Sequence, residues 1–194
     1  MFSVNEIAAL TNQLANGCNG NFFYQGHGSE DSFGSADPYS KENAAPGGTP
    51  LATIGAVPLA KVLGNDFANG KFQQRKHPYL LVVIDGCLTA TYGTVAMAFG
   101  VEGATHTETW YQKNGESPQA FVGWTTEIEL GNNVSGIWYH DYYLEVLFQD
   151  WMCGNSLYDC LVAASSIDYA APSFWPLDSH WKIYGYPFLT RTPQ

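Results

Sequence analysis

The chain has 194 residues, of which 45% are apolar and 15% aromatic, enough to bury one core and too many for a disordered polymer. Eighteen acidic residues against eight basic ones leave a net charge of −10. With Arg75 and Arg191 as its only arginines, the chain has no basic footprint for nucleic acid or an anionic membrane. No apolar run is long enough to span a bilayer, and no basic stretch followed by an apolar one opens the chain, so no signal peptide is expected.

In chain order, residues 3–16 read as an amphipathic helix, with capping-box spacing between Ser3 and Glu6 and a stripe of Ile7, Leu10 and Leu14. Asn21–Gln25 reads as a short strand running into Gly26-His27-Gly28. Ser29 to Pro50, rich in Gly, Ser, Asp, Asn, Ala and Pro, reads as a long surface loop. Val57–Phe67 reads as a helix with Pro58 in its first turn, followed by a polar stretch over Gly70–His77. The continuous apolar run Tyr79–Ile84 predicts a central strand covered on both faces, stopping at Asp85-Gly86-Cys87. Leu88–Phe99 reads as a helix and Gln119–Trp124 as a second buried strand, followed by a turn around Gly131–Asn133. Trp138–Met152 and Ser156–Ser165 read as helices, the second capped by Ser156, and Trp181–Tyr184 as the last strand. Strands alternating with helices predict one α/β domain over residues 1–194 with a mainly parallel sheet.

Two apolar strands thus end in a chemically able residue beside glycine, and sites of open α/β sheets lie beyond the carboxyl ends of strands. Parallel neighbours would bring His27 and Cys87 to one edge. A thiol between a strand and a helix N-terminus is acidified from its usual pKa of about 8.5, and a nearby imidazole can take and return its proton. The glycines let backbone N–H groups at Gly28 and Cys87 approach a carbonyl as an oxyanion hole. Asp85 stands either to orient His27 or to cap the following helix. The bland alternative is a core cysteine and a turn histidine.

The order of these blocks resembles the caspase-type cysteine peptidases. Phe22-Phe23-Tyr24-Gln25-Gly26-His27-Gly28-Ser29 and Leu81-Val82-Val83-Ile84-Asp85-Gly86-Cys87 match its two motif blocks. Ala120–Trp124 and Ile183-Tyr184-Gly185-Tyr186-Pro187-Phe188-Leu189 are similar to later strands of its gingipain-like and CHAT-like bacterial branch, with Tyr186 where that branch often has Asp. The resemblance covers residues 20–190 in patches. It implies a caspase-like three-layer sandwich, either whole or as part of a larger protein with other domains. It further implies His27 as acid/base, Cys87 as nucleophile, Gly28 and Cys87 as oxyanion donors, and a protein or peptide substrate. Asp85 and the stretch Trp124, Thr125, Thr126 and Glu127 would line the pocket. Glu127 and Glu129 leave a basic residue before the cleaved bond as one option.

Other residues carry less. Cys18 reads as a loop or buried thiol, and Cys153 and Cys160 as core or as a disulfide pair. His77 reads as exposed, while His106, His140 and His180 read as solvated or packed. No cluster has zinc-ligand spacing, so no metal or cofactor is expected. No serine-hydrolase elbow, zincin motif or cysteine-phosphatase arginine occurs. Two rival readings share the site: a catalytically silent caspase-like module that binds a partner, and a cysteine-dependent hydrolase or acyltransferase acting on a small substrate.

Overall fold

The computed structural model describes residues 12–14, 20–34, 53–76, 79–127, 133–134, 137–165 and 180–191. Strands β1 (Asn21–Gln25), β2 (His27–Ser29), β3 (Ser32–Gly34) and β4 (Thr53–Gly55) lead into helix α1 (Ala56–Leu63). A hairpin of β5 (Asp66–Ala68) and β6 (Lys71–Gln74) precedes β7 (Leu81–Asp85), α2 (Thr94–Ala98), α3 (Glu108–Asn114) and β8 (Ala120–Trp124). The short strands β9 (Asn133–Val134) and β10 (Ile137–Trp138) are followed by α4 (Tyr139–Met152), α5 (Leu157–Ser165) and β11 (Trp181–Gly185). Asn12–Leu14 is helical; the rest of the helix expected over 3–16 lies outside the described residues.

The central sheet has the order β1-β7-β8-β11. β1 and β8 flank β7 in parallel, and β11 closes the sheet antiparallel to β8. The chain is therefore α/β with a mixed, mostly parallel sheet. β7 and β8 are buried at every position, as strands covered on both faces must be. Because strand side chains alternate, the sheet divides into two cores. Phe22, Tyr24, Val82, Ile84, Phe121 and Tyr184 face α1, α2 and the small β2-β3-β4 sheet, packing with Leu59, Val95, Phe99 and Phe33. Leu81, Val83, Val122, Trp124 and Ile183 face α4 and α5, packing with Tyr143, Leu147, Trp151 and Leu161. Each such apolar side chain contributes about 1.5–3 kcal/mol by leaving water.

Several elements differ from expectation for local reasons. Helix α1 stops at Leu63 because Gly64 is left-handed (φ 76°) and its N–H turns back to Ala60 and Lys61 carbonyls. The segment beyond it forms the β5–β6 hairpin, whose Asn69-Gly70 corner has φ of 53° and 73°. Two successive positive φ values are what a tight hairpin needs, and Asn-Gly supplies them. The expected surface loop contains strand β3; residues 35–52 lie outside the described set. Helix α3 is one that periodicity did not reveal, although Thr107 caps it by accepting the Trp110 N–H at 3.3 Å. Ser156 accepts the Asp159 N–H at 3.2 Å, as expected of the α5 cap. Among the described residues no helix is long and apolar enough to cross a membrane.

Buried Asn65 ties three elements together. It follows α1, its Nδ2 donates to the Ala98 carbonyl of α2 at 3.0 Å, and its Oδ1 accepts the Lys76 N–H at 2.6 Å. Asn65→Ala strands a buried carbonyl and a peptide N–H, so it is expected to lower unfolding free energy by about 2 kcal/mol or more, read from urea denaturation.

Candidate active site

β1 and β7 run in register, Asn21 against Leu81 through Gln25 against Asp85, so both chains leave the sheet at the same level. The Gly26 N–H still bonds the Asp85 carbonyl at 3.0 Å, which carries the ladder one residue past the strands. The two turns then meet backbone to backbone. A Cβ on Gly28 would lie 2.5 Å from Thr89 Cγ2, 2.7 Å from the Cys87 carbonyl oxygen and 2.8 Å from the Gly86 carbonyl carbon. A Cβ on Gly86 would lie 3.1 Å from the Gly26 oxygen and 3.2 Å from the Gly28 Cα. Close approach to backbone thus requires glycine at position 28, while at position 86 a Cβ would be tight and would need its neighbours to give by a few tenths of an ångström. His27 is exposed and Cys87 partly exposed at this junction. Thus the structure does bring the turns bearing His27, Gly28 and Cys87 together.

The His27 turn continues into β2, which pairs antiparallel with β3. The Tyr24 hydroxyl donates to the Gly34 carbonyl from within the core, and burial pushes its pKa up to about 12. The turn is therefore held by the sheet below and by the small sheet beside it.

The Cys87 turn is fastened to the end of β8. Leu88 N–H donates to the Thr126 carbonyl at 3.0 Å and Ala90 N–H to the Trp124 carbonyl at 2.8 Å. From β11, the Tyr184 hydroxyl donates to the Ala90 carbonyl at 2.8 Å. Leu88 itself adopts φ 62°, unusual for a branched side chain. These bonds shorten the helix expected over Leu88–Phe99 to Thr94–Ala98. The Leu88 and Ala90 N–H groups are spent on the end of β8 and those of Thr89 and Thr91 on local turns, and α2 opens only at Thr94. Cys87 therefore stands on a turn rather than at a helix N-terminus, and a macrodipole that fades within a turn does not reach it.

The expected pocket residues divide. Asp85 and Trp124 are buried, at 3% and 5% exposure. The Trp124 indole N–H donates to Asp85 Oδ1 at 2.7 Å, and the Trp124 ring packs 5.6 Å from Tyr143. Both side chains belong to the core facing α4 and lie away from open surface. Asp85 also caps no helix, since none follows it directly. Thr125 and Thr126 are partly exposed and Glu127 is exposed. The backbone of Thr125 and Thr126 runs beside the Cys87 turn and is steadied by Thr125, whose N–H and hydroxyl both donate to the His180 carbonyl, at 2.7 and 3.0 Å.

Cys87, Cys153 and Cys160 are not in disulfides, which removes the Cys153–Cys160 pairing. Cys160 is buried and its thiol is pushed up to about 12, while Cys153 is exposed. Cys18, His77, Glu129 and the His140 side chain lie outside the described residues. His106 stacks on Trp110 at 3.9 Å, and burial lowers its pKa. Among the described residues no group of His, Cys, Asp and Glu is placed to hold a metal ion. Sequence reading overlooked Thr89 and Gly123: a Cβ on Gly123 would lie 2.7 Å from Thr89 Oγ1, so this β8 glycine makes room for the Cys87 turn. A glycine inside an apolar strand was the available signal.

The contact distances set an order for substitution. Gly28→Ala meets backbone and is expected to cost about 3 kcal/mol, whereas Gly86→Ala, with looser contacts, is expected to cost about 1 kcal/mol, both read as shifts in the urea midpoint. Compared with family models, curated proteins and solved structures, this chain matches none of them.

Proposed function

We propose that this chain is a cysteine peptidase of caspase-like fold, working through His27 and Cys87. The observation that carries this reading is the backbone contact between the Gly28 and Gly86–Cys87 turns at the carboxyl edge of the parallel β1–β7 pair. In α/β sheets that edge is where ligands bind. His27 takes the Cys87 thiol proton, and the thiolate attacks the peptide carbonyl. N–H groups of Gly28 and Cys87 hold the oxyanion. The C–N bond breaks as His27 returns the proton to the leaving amine. Water then attacks the thioester, releasing the acid and restoring the thiol. Thr125, Thr126 and Glu127 border the substrate side chain, and the exposed Glu127 carboxylate suits a basic one.

One observation favours the rival, a silent module that binds a partner. Without a helix N-terminus at Cys87, stabilisation of the thiolate falls to His27. Iodoacetamide labelling with site-resolved mass spectrometry decides between them. In the peptidase, Cys87 labels rapidly well below the free-thiol pKa of about 8.5, His27→Ala slows it, and Cys87→Ala abolishes cleavage of a peptide library. Cys87 labelling no faster than exposed Cys153, with or without His27, selects the binding module. A fast, His27-dependent thiol in a protein that cleaves no peptide selects a hydrolase or acyltransferase for small substrates.

A further inference from the structure

We propose that Thr89 is the positioning residue of this site, a buried clamp that sets where the Cys87 thiol stands relative to His27. The proposal rests on the His27/Cys87 reading above. Thr89 is fully buried two residues beyond the cysteine, and its side chain meets the end of β7, the histidine turn and β8. Its hydroxyl proton is shared between the Gly86 carbonyl at 2.8 Å and the Ile84 carbonyl at 3.1 Å. The chain is thereby bent back onto the end of β7 directly around Cys87. Its methyl stands against Gly28, 2.5 Å from where a Cβ would be, and its oxygen stands against Gly123 of β8. One side chain therefore joins the histidine turn, the cysteine turn and the neighbouring strand.

Both functional groups of Thr89 are used, and in different directions. The hydroxyl holds the shape of the cysteine turn, while the methyl backs the glycine that follows His27. The bonds from Leu88 and Ala90 to β8 hold the turn to the sheet from either side of Thr89. They do not reach the histidine turn. Placement matters here because a displacement of about 1 Å between reacting groups can cost about a hundredfold in rate.

The test is the pH profile of Cys87 alkylation in the full chain, in the parent and in His27→Ala, Thr89→Val and Thr89→Ser. Exposed Cys153 serves as the rate reference and buried Cys160 as the reporter of unfolding. Valine keeps the shape and removes the hydroxyl. Cys87 in Thr89→Val is expected to label about tenfold more slowly at neutral pH, with its pH onset moved up towards that of His27→Ala. In Thr89→Ser, which keeps the hydroxyl and loses the methyl, the onset is expected to stay put while the rate falls about threefold. A His27 effect in the parent, with the parent profile retained in a folded Thr89→Val protein, overturns the clamp and leaves the dyad standing. Absence of a His27 effect in the parent overturns the dyad, and the clamp with it. Should Thr89→Val expose Cys160 to labelling, Thr89→Ser decides, and a rate equal to the parent's overturns the clamp.

Discussion

The constraint on which the candidate site depends is the contact of Gly28 with the Gly86–Cys87 peptide, because everything around that site must be arranged to permit it. The backbones approach this far because Gly28 carries no Cβ, and Gly86 eases the contact from the other side. They meet only because β1 and β7 are parallel, adjacent and in register over their whole length. A slip of one residue would turn Phe22 and Tyr24 away from their core and put His27 at a different level from Cys87. The register is enforced by the aromatic packing of β1 against that core, where Phe22 lies 5.3 Å from Phe99 and Tyr24 lies 4.9 Å from Phe33.

Burial on both sides of β7 is what makes that arrangement rigid. Val82 and Ile84 face one core and Leu81 and Val83 the other, all nearly inaccessible to water. A strand so placed has little freedom to shift, and the rigidity extends into the turn that follows it. There the hydrogen bonds to Trp124 and Thr126 take over from the parallel ladder, and Tyr184 reaches across from β11 to the Ala90 carbonyl. Leu88 is held in a left-handed conformation as part of this bargain between turn and strand. Strain of that kind beside a cysteine, on a scaffold buried on both faces, is consistent with a site that needs a fixed thiol.

The same packing assigns Asp85 and Trp124 a role in stability. A carboxylate buried under the sheet is costly unless it is bonded, and the indole N–H supplies a bond at 2.7 Å. The pair closes the core beneath the cysteine turn from the α4 side, as Thr89 and Gly123 close it from the other. The site therefore rests on hydrogen-bonded buried side chains, with an apolar core on each face of the sheet beneath it.

The sequence by itself determined the central strands, the α4 and α5 helices and the two glycine-flanked turns, because long apolar runs, capping residues and the His-Gly and Gly-Cys pairs are local signals. It also carried the Asn69-Gly70 hairpin signal, although the polar residues around that corner masked it. What it did not determine was the path after Cys87. Leu88–Phe99 has helical composition, yet hydrogen bonds to β8 from Leu88 and Ala90 outweigh that propensity until Thr94. Nor could it tell that Asp85 and Trp124, at the tips of two strands, pair across 39 positions inside a core. Thr89 was equally silent as a letter in the chain. Its importance comes from three segments meeting at one point, and a meeting of distant segments is decided by tertiary packing, which no local pattern encodes.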